Sequence, residues 1–493
     1  MKVKIRNLGV IKEEANFELK PLTVFIGPNN AGKTWLAYSL AGILGPFGTG
    51  EYAQAYADKK VPNTYEPLDN AIERVLAVGN ATIDLRRFAD EYGETYFNDI
   101  ARYARIWMRR FLSTQLAHFD DLDISLSLAE TKTDLLNQVS QYYRTSRVAG
   151  SVLTIRKNRG EDKVFAFTST EIGEIEGQEE QLVERIPLEE VRERLVGFVS
   201  TALRRSLYPQ IRVFPTERTT LVAFRFAERV ADRVQPAINE KVIEALEVLA
   251  TELDMRELAE QNRAVREATW PVSSFMGMLH DIFRKRSRDK EERGKHAKRD
   301  PNINRYIQLA EILENEVLTG SVYLSTPEPD PRREVLFQPT QDINLEIPIA
   351  SSMVKELSPL VLYLRHLARP GELLIIDEPE MNLHPAAQVK IIEFLAMLVN
   401  AGLHVLITTH SPYVVDHLVN LMDAHKHQNQ DEIVEMFLLE QKEAFISQEK
   451  VAAYLVEDGK VKNILDPEGI IDWKTFSDVT RLVEHIHFEL SGE

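Results

Sequence analysis

The octapeptide Gly27-Pro28-Asn29-Asn30-Ala31-Gly32-Lys33-Thr34 constrains the fold of this 493-residue chain more than any other feature. Leu22 to Ile26 before it reads as a buried strand, and Trp35, Leu36, Tyr38, Ser39 and Leu40 after it follow a helical pattern. A glycine-rich turn in that context points its backbone N–H groups inward at the start of a helix, where anions bind. Gly27 and Gly32 permit the turn, and Asn29, Asn30 and Ala31 carry the loop between them. Lys33 is placed to reach the β- and γ-phosphates of a nucleotide, and Thr34 offers Mg²⁺ a hydroxyl.

More than three hundred residues later, Leu373-Leu374-Ile375-Ile376-Asp377-Glu378 is an apolar strand that ends in two acids. On its own such an end reads as a solvated turn. Paired with the phosphate loop, Asp377 becomes the metal-side carboxylate and Glu378 the general base that faces an attacking water. One strand further on, Val405-Leu406-Ile407-Thr408-Thr409-His410-Ser411-Pro412 puts His410 at the carboxyl end of a sheet strand, where α/β proteins gather ligand contacts. A histidine there serves either as a structural group or as a sensor of the γ-phosphate.

The remaining pattern is α/β with insertions. Apolar residues recur at helical spacing from Asn63 to His118, with no strand signal among them. Leu122–Leu128, Val152–Arg156 and Val164–Phe167 read as a small antiparallel sheet, the last two joined by a turn over Lys157–Asp162. A helix over Leu188–Leu207 leads to a strand at Ile211–Phe214. A long helical region, Arg225–Leu318, is broken near Pro271 and Pro301. Strands at Val322–Leu324, Glu334–Phe337, Leu373–Ile376 and Val405–Ile407 then alternate with helices at Val354–Leu367, Pro385–Val399 and Tyr413–Leu421, which implies a largely parallel sheet. A hairpin over 451–461 with an Asp458-Gly459 turn and a helix at Phe476–His487 close the chain. The expected layout is a head begun at 1–50 and resumed at 321–493, with a helical insertion at 51–118. A segment of antiparallel sheet and head elements follows at 119–224, and a second helical insertion at 225–320.

Three motifs in this order, with a large insertion after the first, resemble the ABC-type P-loop ATPases of the SMC, RecF and OLD group. Glu378-Pro379-Glu380-Met381-Asn382-Leu383-His384-Pro385 and Thr408-Thr409-His410-Ser411-Pro412 are similar to stretches of OLD-like AAA ATPases of prokaryotic genomes. The resemblance covers roughly residues 1–50 and 320–460. It implies ATP and Mg²⁺ as ligands, ATP hydrolysis, and a homodimer or higher even oligomer of heads arranged head to tail. It also implies that Ser351, before the helix that includes Lys355-Glu356-Leu357, reaches a partner's γ-phosphate in trans. A plain helix cap is the alternative for this serine, and Met353 stands where the family usually has glycine. Met381–His384 would lie against the opposing subunit. Phe214-Pro215-Thr216-Glu217-Arg218 resembles a Pro-x-x-Arg turn of OLD-like proteins, where Arg218 faces either phosphate or a neighbouring acid.

Composition narrows the setting. With no cysteine, disulfides and Cys-based metal sites are excluded, which fits a reducing cytoplasm. No apolar run approaches the roughly 20 residues of a membrane helix, so a membrane-embedded transporter is not expected, and helical insertions of this size would replace the compact subdomain by which a transporter's ATPase subunit docks onto a membrane partner. A net charge of −17 opposes wholesale nucleic-acid binding, yet the basic stretch Arg284–Arg299 is compatible with local phosphate contact as well as with a solvated face. About eighty residues follow His410, too few for a fused toprim nuclease. The leading expectation is therefore a nucleotide-controlled sensor or scaffold in prokaryotic anti-phage defence that acts on a separate effector such as a nuclease. The alternative is a RecF- or SMC-like DNA clamp in repair or maintenance.

Overall fold

The computed structural model describes residues 1–114, 119–147, 153–168, 187–223, 268–284, 293, 301–325, 335–471 and 485–486. Its contacts divide into two compact units. One comprises Arg6–Tyr38, Arg212–Arg229 and Ser274–Glu493; the other comprises Met1–Ile5, Ser39–Ile211 and Val230–Ser273.

The first unit is built on a six-stranded mixed sheet. Its strand order is Lys460–Asn463, Val451–Glu457, Leu22–Ile26, His404–Thr409, Leu373–Asp377 and Ile211–Phe214. Leu22–Ile26 is buried at every position and lies parallel to both His404–Thr409 and Val451–Glu457. Strands covered on both faces read as continuous apolar runs, which is why Leu22–Ile26 and Leu373–Ile376 lack alternation. The register decides what the sheet presents. Thr409 pairs with Ile26 and Asp377 with Thr408, so Gly27, Glu378 and His410 leave three adjacent strands at the same edge.

Two further helices begin on that edge with proline as their first residue, Pro385–Asn400 capped by His384 and Pro412–Lys426 capped by Ser411. A separate antiparallel sheet of Ser321–Leu324, Val335–Thr340 and Ile343–Glu346 leads through Ile347–Ile349 into the helix Ser352–His366. The strand Ile343–Glu346 escaped the sequence reading because it is mostly exposed and has no buried face to impose a pattern.

In the second unit the expectation of a wholly helical segment between Asn63 and His118 fails at Asn80–Asp84. This is a strand, paired in antiparallel register with Lys163–Thr168. The small sheet runs Asn80–Asp84, Lys163–Thr168, Leu153–Lys157, Arg144–Arg147, so Asp123–Ser127, expected to join it, does not. Five residues between two long helices carry too little periodicity to stand out, and only pairing at long range fixes them as a strand. Most of Arg225–Leu318 before Trp270, and nearly all of the closing helix Phe476–His487, lie outside the described residues.

The helical core of this unit is organised around Trp107, which is 1% exposed on the helix Leu85–Phe111. Its ring packs edge-on to Phe47 and Phe111 with centroids 5.4 and 5.5 Å away. A Cβ at Gly42 or Gly48 would come within 2.8 Å of the indole, so two glycines open the space it fills. Trp107→Ala is expected to cost about 3–5 kcal/mol, read as a lower midpoint in urea unfolding followed by circular dichroism.

Candidate functional site

The loop after Leu22–Ile26 has the backbone that its glycines anticipated. Gly27 has φ +152° and Gly32 φ +100°, and a Cβ on Gly27 would strike the Val456 carbonyl at 2.1 Å. Pro28, Asn29 and Asn30 are exposed at its rim, and Ala31 and Gly32 are half-buried. The helix Lys33–Leu44 starts directly from it. Lys33 is buried, with Nζ donating to the carbonyls of Gly27 and Pro28, both at 2.8 Å. Burial lowers its pKa, opposed by the charges of Glu378, Asp377 and Glu380.

Thr34 Oγ1 lies 3.1 Å from each carboxylate oxygen of Asp377, which joins the two halves of the site across 343 residues of sequence. The Asp377 carboxylate is fully buried and also accepts from the hydroxyls of Thr408 and, at 3.3 Å, Tyr38. Burial raises its pKa, and the Thr408 and Thr34 hydrogen bonds pull it back. A threonine hydroxyl against a carboxylate is a hard-oxygen pair of the kind Mg²⁺ prefers, so the residues present fit the metal implied by the motif.

Glu378 follows in the left-handed region, φ +48°, its N–H held by the Thr408 carbonyl and Oγ1, both at 3.1 Å. That turn separates the two acids. Asp377 stays in the sheet edge, whereas the Glu378 side chain, 21% exposed, meets His410 Nδ1 at 3.3 Å. The hydrogen bond from His410 is the largest influence lowering the Glu378 pKa, and the same bond raises that of His410.

Sequence reasoning assigned no role to Glu380, although it stands two residues beyond the base. It is 2% exposed, and its Oε1 accepts from Thr409 Oγ1 at 2.5 Å and the His410 N–H at 3.0 Å. Its Oε1 also lies 3.7 Å from His410 Nδ1, so two carboxylates approach the same ring nitrogen. Burial raises the Glu380 pKa, the hydrogen bond from Thr409 opposing it most. Tyr38 and Thr408 were missed as well; each sits in a run whose apolar pattern concealed its hydroxyl.

Ser351 caps the helix Ser352–His366, its Oγ accepting the Val354 N–H at 3.3 Å. The cap uses a lone pair and leaves the hydroxyl proton as a donor. Met353 beside it is half-buried. Arg218, one of whose readings was a phosphate contact, is 2% exposed. Its guanidinium donates to the carbonyls of Asp377 at 2.6 Å, Glu378 at 2.7 Å and Pro215 at 2.8 Å, and pairs with Glu356. Of its two readings, the neighbouring-acid one describes this geometry. Within the basic stretch Arg284–Arg299, only the Arg293 side chain lies among the described residues. It donates to the carbonyls of Leu364, Arg365 and Ala368, which satisfies the end of the helix that Ser351 begins.

Residues 244–416 match the family described as "AAA domain, putative AbiEii toxin, Type IV TA system". The matched stretch, less than half of the chain, includes Ser351, Asp377, Glu378 and His410, and the phosphate loop joins it through the strand pairing described above. Over these residues the chain is similar to an AAA domain, and the phosphate loop lies outside the match. Among solved structures, the chain is similar to the Smc head domain with an extended coiled coil bound to the C-terminal domain of ScpA, derived from Pyrococcus furiosus. Identity to that structure is 10%, over 99% of this chain and 98% of that one, with a TM-score of 0.34. It is also similar to an SmcHead bound to the C-winged helix domain of ScpA, at 11% identity over 95% and 98% of the two chains and a TM-score of 0.36. No curated protein matches the sequence. Among the described residues no helix is long and apolar enough to cross a membrane.

The Glu378–His410 contact has a definite pH signature. The raised His410 pKa means that its contribution is full below the unfolded value near 6.5 and is lost as pH rises through the folded value. The lowered Glu378 pKa removes the contact at the acid end, as pH falls through the folded value below 4.5. An NMR titration of the His410 imidazole should give a midpoint above 6.5 in the wild-type protein, shifted down in Glu378→Gln. Equal midpoints in the two proteins would show that the contact does not form in solution.

Proposed function

We propose that the chain binds Mg·ATP at the Thr34–Asp377 edge and hydrolyses it to ADP and phosphate. The observation that carries this reading is the pairing of the phosphate loop with two carboxylates in different roles, one fixed beside Thr34 and one turned out beside His410. On entry of the triphosphate, Lys33 Nζ exchanges the Gly27 and Pro28 carbonyls for phosphate oxygens, and the backbone N–H groups from Asn29 to Thr34 line the loop around them. Thr34 and Asp377 are the residues that would hold Mg²⁺, which supplies charge neutralisation across the phosphates. Glu378 takes the proton of the attacking water as its oxygen bonds to the γ-phosphorus and the bond to the β-phosphate oxygen breaks. His410 would read the γ-phosphate, its Nδ1 held 3.3 Å from Glu378 and 3.7 Å from Glu380.

Two such heads would close head to tail, the Ser351 hydroxyl of each completing the site of the other and Met381–His384 lining the contact. The biological reading is a nucleotide-controlled sensor or scaffold in prokaryotic defence, of the OLD-like kind, that acts on a separate effector. It is supported by the toxin–antitoxin description of the matched family.

Glu378→Gln should retain ATP binding and lower turnover by about 10²- to 10⁴-fold, whereas Lys33→Ala should lose binding. A Glu378→Gln variant that turns over like wild type would assign the base elsewhere. Purification with the neighbouring genes co-expressed should bring down a second polypeptide; full protection of cells by this chain alone would overturn the effector reading.

A further inference from the structure

The Arg218 guanidinium reaches further than an ion pair requires. It touches three elements: the turn at Pro215 from which it springs, the end of the strand Leu373–Asp377, and the helix Ser352–His366 through Glu356. Its two strand contacts are the carbonyls on either side of the Glu378 nitrogen and Cα, the backbone bent to φ +48°. Thr408 holds the same backbone from the opposite side through the Glu378 N–H. The position of the base is thus set by Thr408 and Arg218 together.

Glu356 is 1% exposed and lies five residues after Ser351, in the second turn of the helix that Ser351 caps. One oxygen pairs with Arg218 and the other accepts the Thr219 hydroxyl at 2.5 Å. Burial brings the Arg218 pKa down to about 10, so the guanidinium stays charged at neutral pH. Water cannot replace either member of a pair buried this deeply. A shift of the Ser351 helix must therefore carry the guanidinium with it or leave a buried charge unpaired.

We infer that Arg218 and Glu356 are positioning residues, a buried relay through which engagement of Ser351 by a partner's nucleotide fixes the backbone of Asp377 and Glu378 in the same chain. The relay rests on the ATPase reading proposed above and gives it a regulation: hydrolysis at one site responds to occupancy of the other. Arg218 and Glu356 act through the backbone that aims Glu378, so turnover is expected to fall much further than Mg·ATP affinity.

The test uses the full chain, with Mg·ATP affinity, turnover and thermal midpoint measured on each protein. Wild-type turnover comes first, because a wild type that binds no ATP or does not hydrolyse it defeats the ATPase reading and the relay together. Given wild-type turnover, Glu356→Gln and Arg218→Lys are expected to keep affinity within about twofold while kcat falls by about 100-fold, as for a misplaced catalytic group. The distinguishing result is the double variant: with the relay broken, Ser351→Ala should slow Glu356→Gln no further, although it slows wild type. Effects that multiply, or a Glu356→Gln protein with wild-type kcat, would overturn the relay while leaving the ATPase reading intact. If loss of the buried charge prevents folding, the cycle of Thr219→Val with Ser351→Ala asks the same question. Thr219→Val loosens Glu356 without removing its ion pair, and non-additive loss supports the relay where simple multiplication sinks it.

Discussion

Everything at the candidate site depends on the parallel pairing of Leu22–Ile26 with His404–Thr409 and of the latter with Leu373–Asp377. In a sheet the side-chain period is two, so a slip of one residue in either pairing would turn Asp377 away from Thr34. Because these strands are buried on both faces, no inside–outside pattern forbids that slip, and the register-specific contacts are the bonds of the Thr34 and Thr408 hydroxyls to Asp377 at the edge.

At that edge the acids are distinguished by environment rather than by residue type. Asp377 is enclosed by three hydroxyls, Glu378 is turned outward by a left-handed backbone, and Glu380 is folded back beneath His410. Three acids within four residues would repel one another if all faced one space. The structure separates them, and Arg218 compensates from behind. Buried ion pairs such as Arg218–Glu356 add little net stability, but losing one partner typically costs about 3–5 kcal/mol, which makes the arrangement all-or-none.

The parts of this site that were legible in the sequence are those whose local pattern is unusual: a glycine-rich turn between strand and helix, and acids ending an apolar run. Gly27, Lys33, Thr34, Asp377 and Glu378 are of this kind, and His410 stood out as an ionisable residue at the end of a second largely apolar strand. Tyr38, Thr408 and Glu356 were not, because each sits at an ordinary position in its element and gains its role only from what lies across the sheet. Arg218 was visible as a candidate, while its partner could not be named, since Glu356 is 138 residues away and nothing local links them. The fold followed the same division. Buried parallel strands announced themselves, whereas Asn80–Asp84 and Ile343–Glu346, short and partly exposed, exist through pairing alone.

The pairing that spans 343 residues, and the reach of Tyr454 to the backbone of Glu18 across 436, also place a demand on synthesis. The strand Leu22–Ile26, apolar but for Thr23, leaves the ribosome long before either of its neighbours, His404–Thr409 and Val451–Glu457. At about 5–20 residues per second it waits roughly 20–80 seconds for them. During that interval it is an unpaired hydrophobic strand with two open edges, the kind of segment that nascent-chain chaperones cover. A polypeptide truncated before residue 404 would carry the phosphate loop without the central neighbour of its strand, so the candidate site is completed late in the life of each molecule.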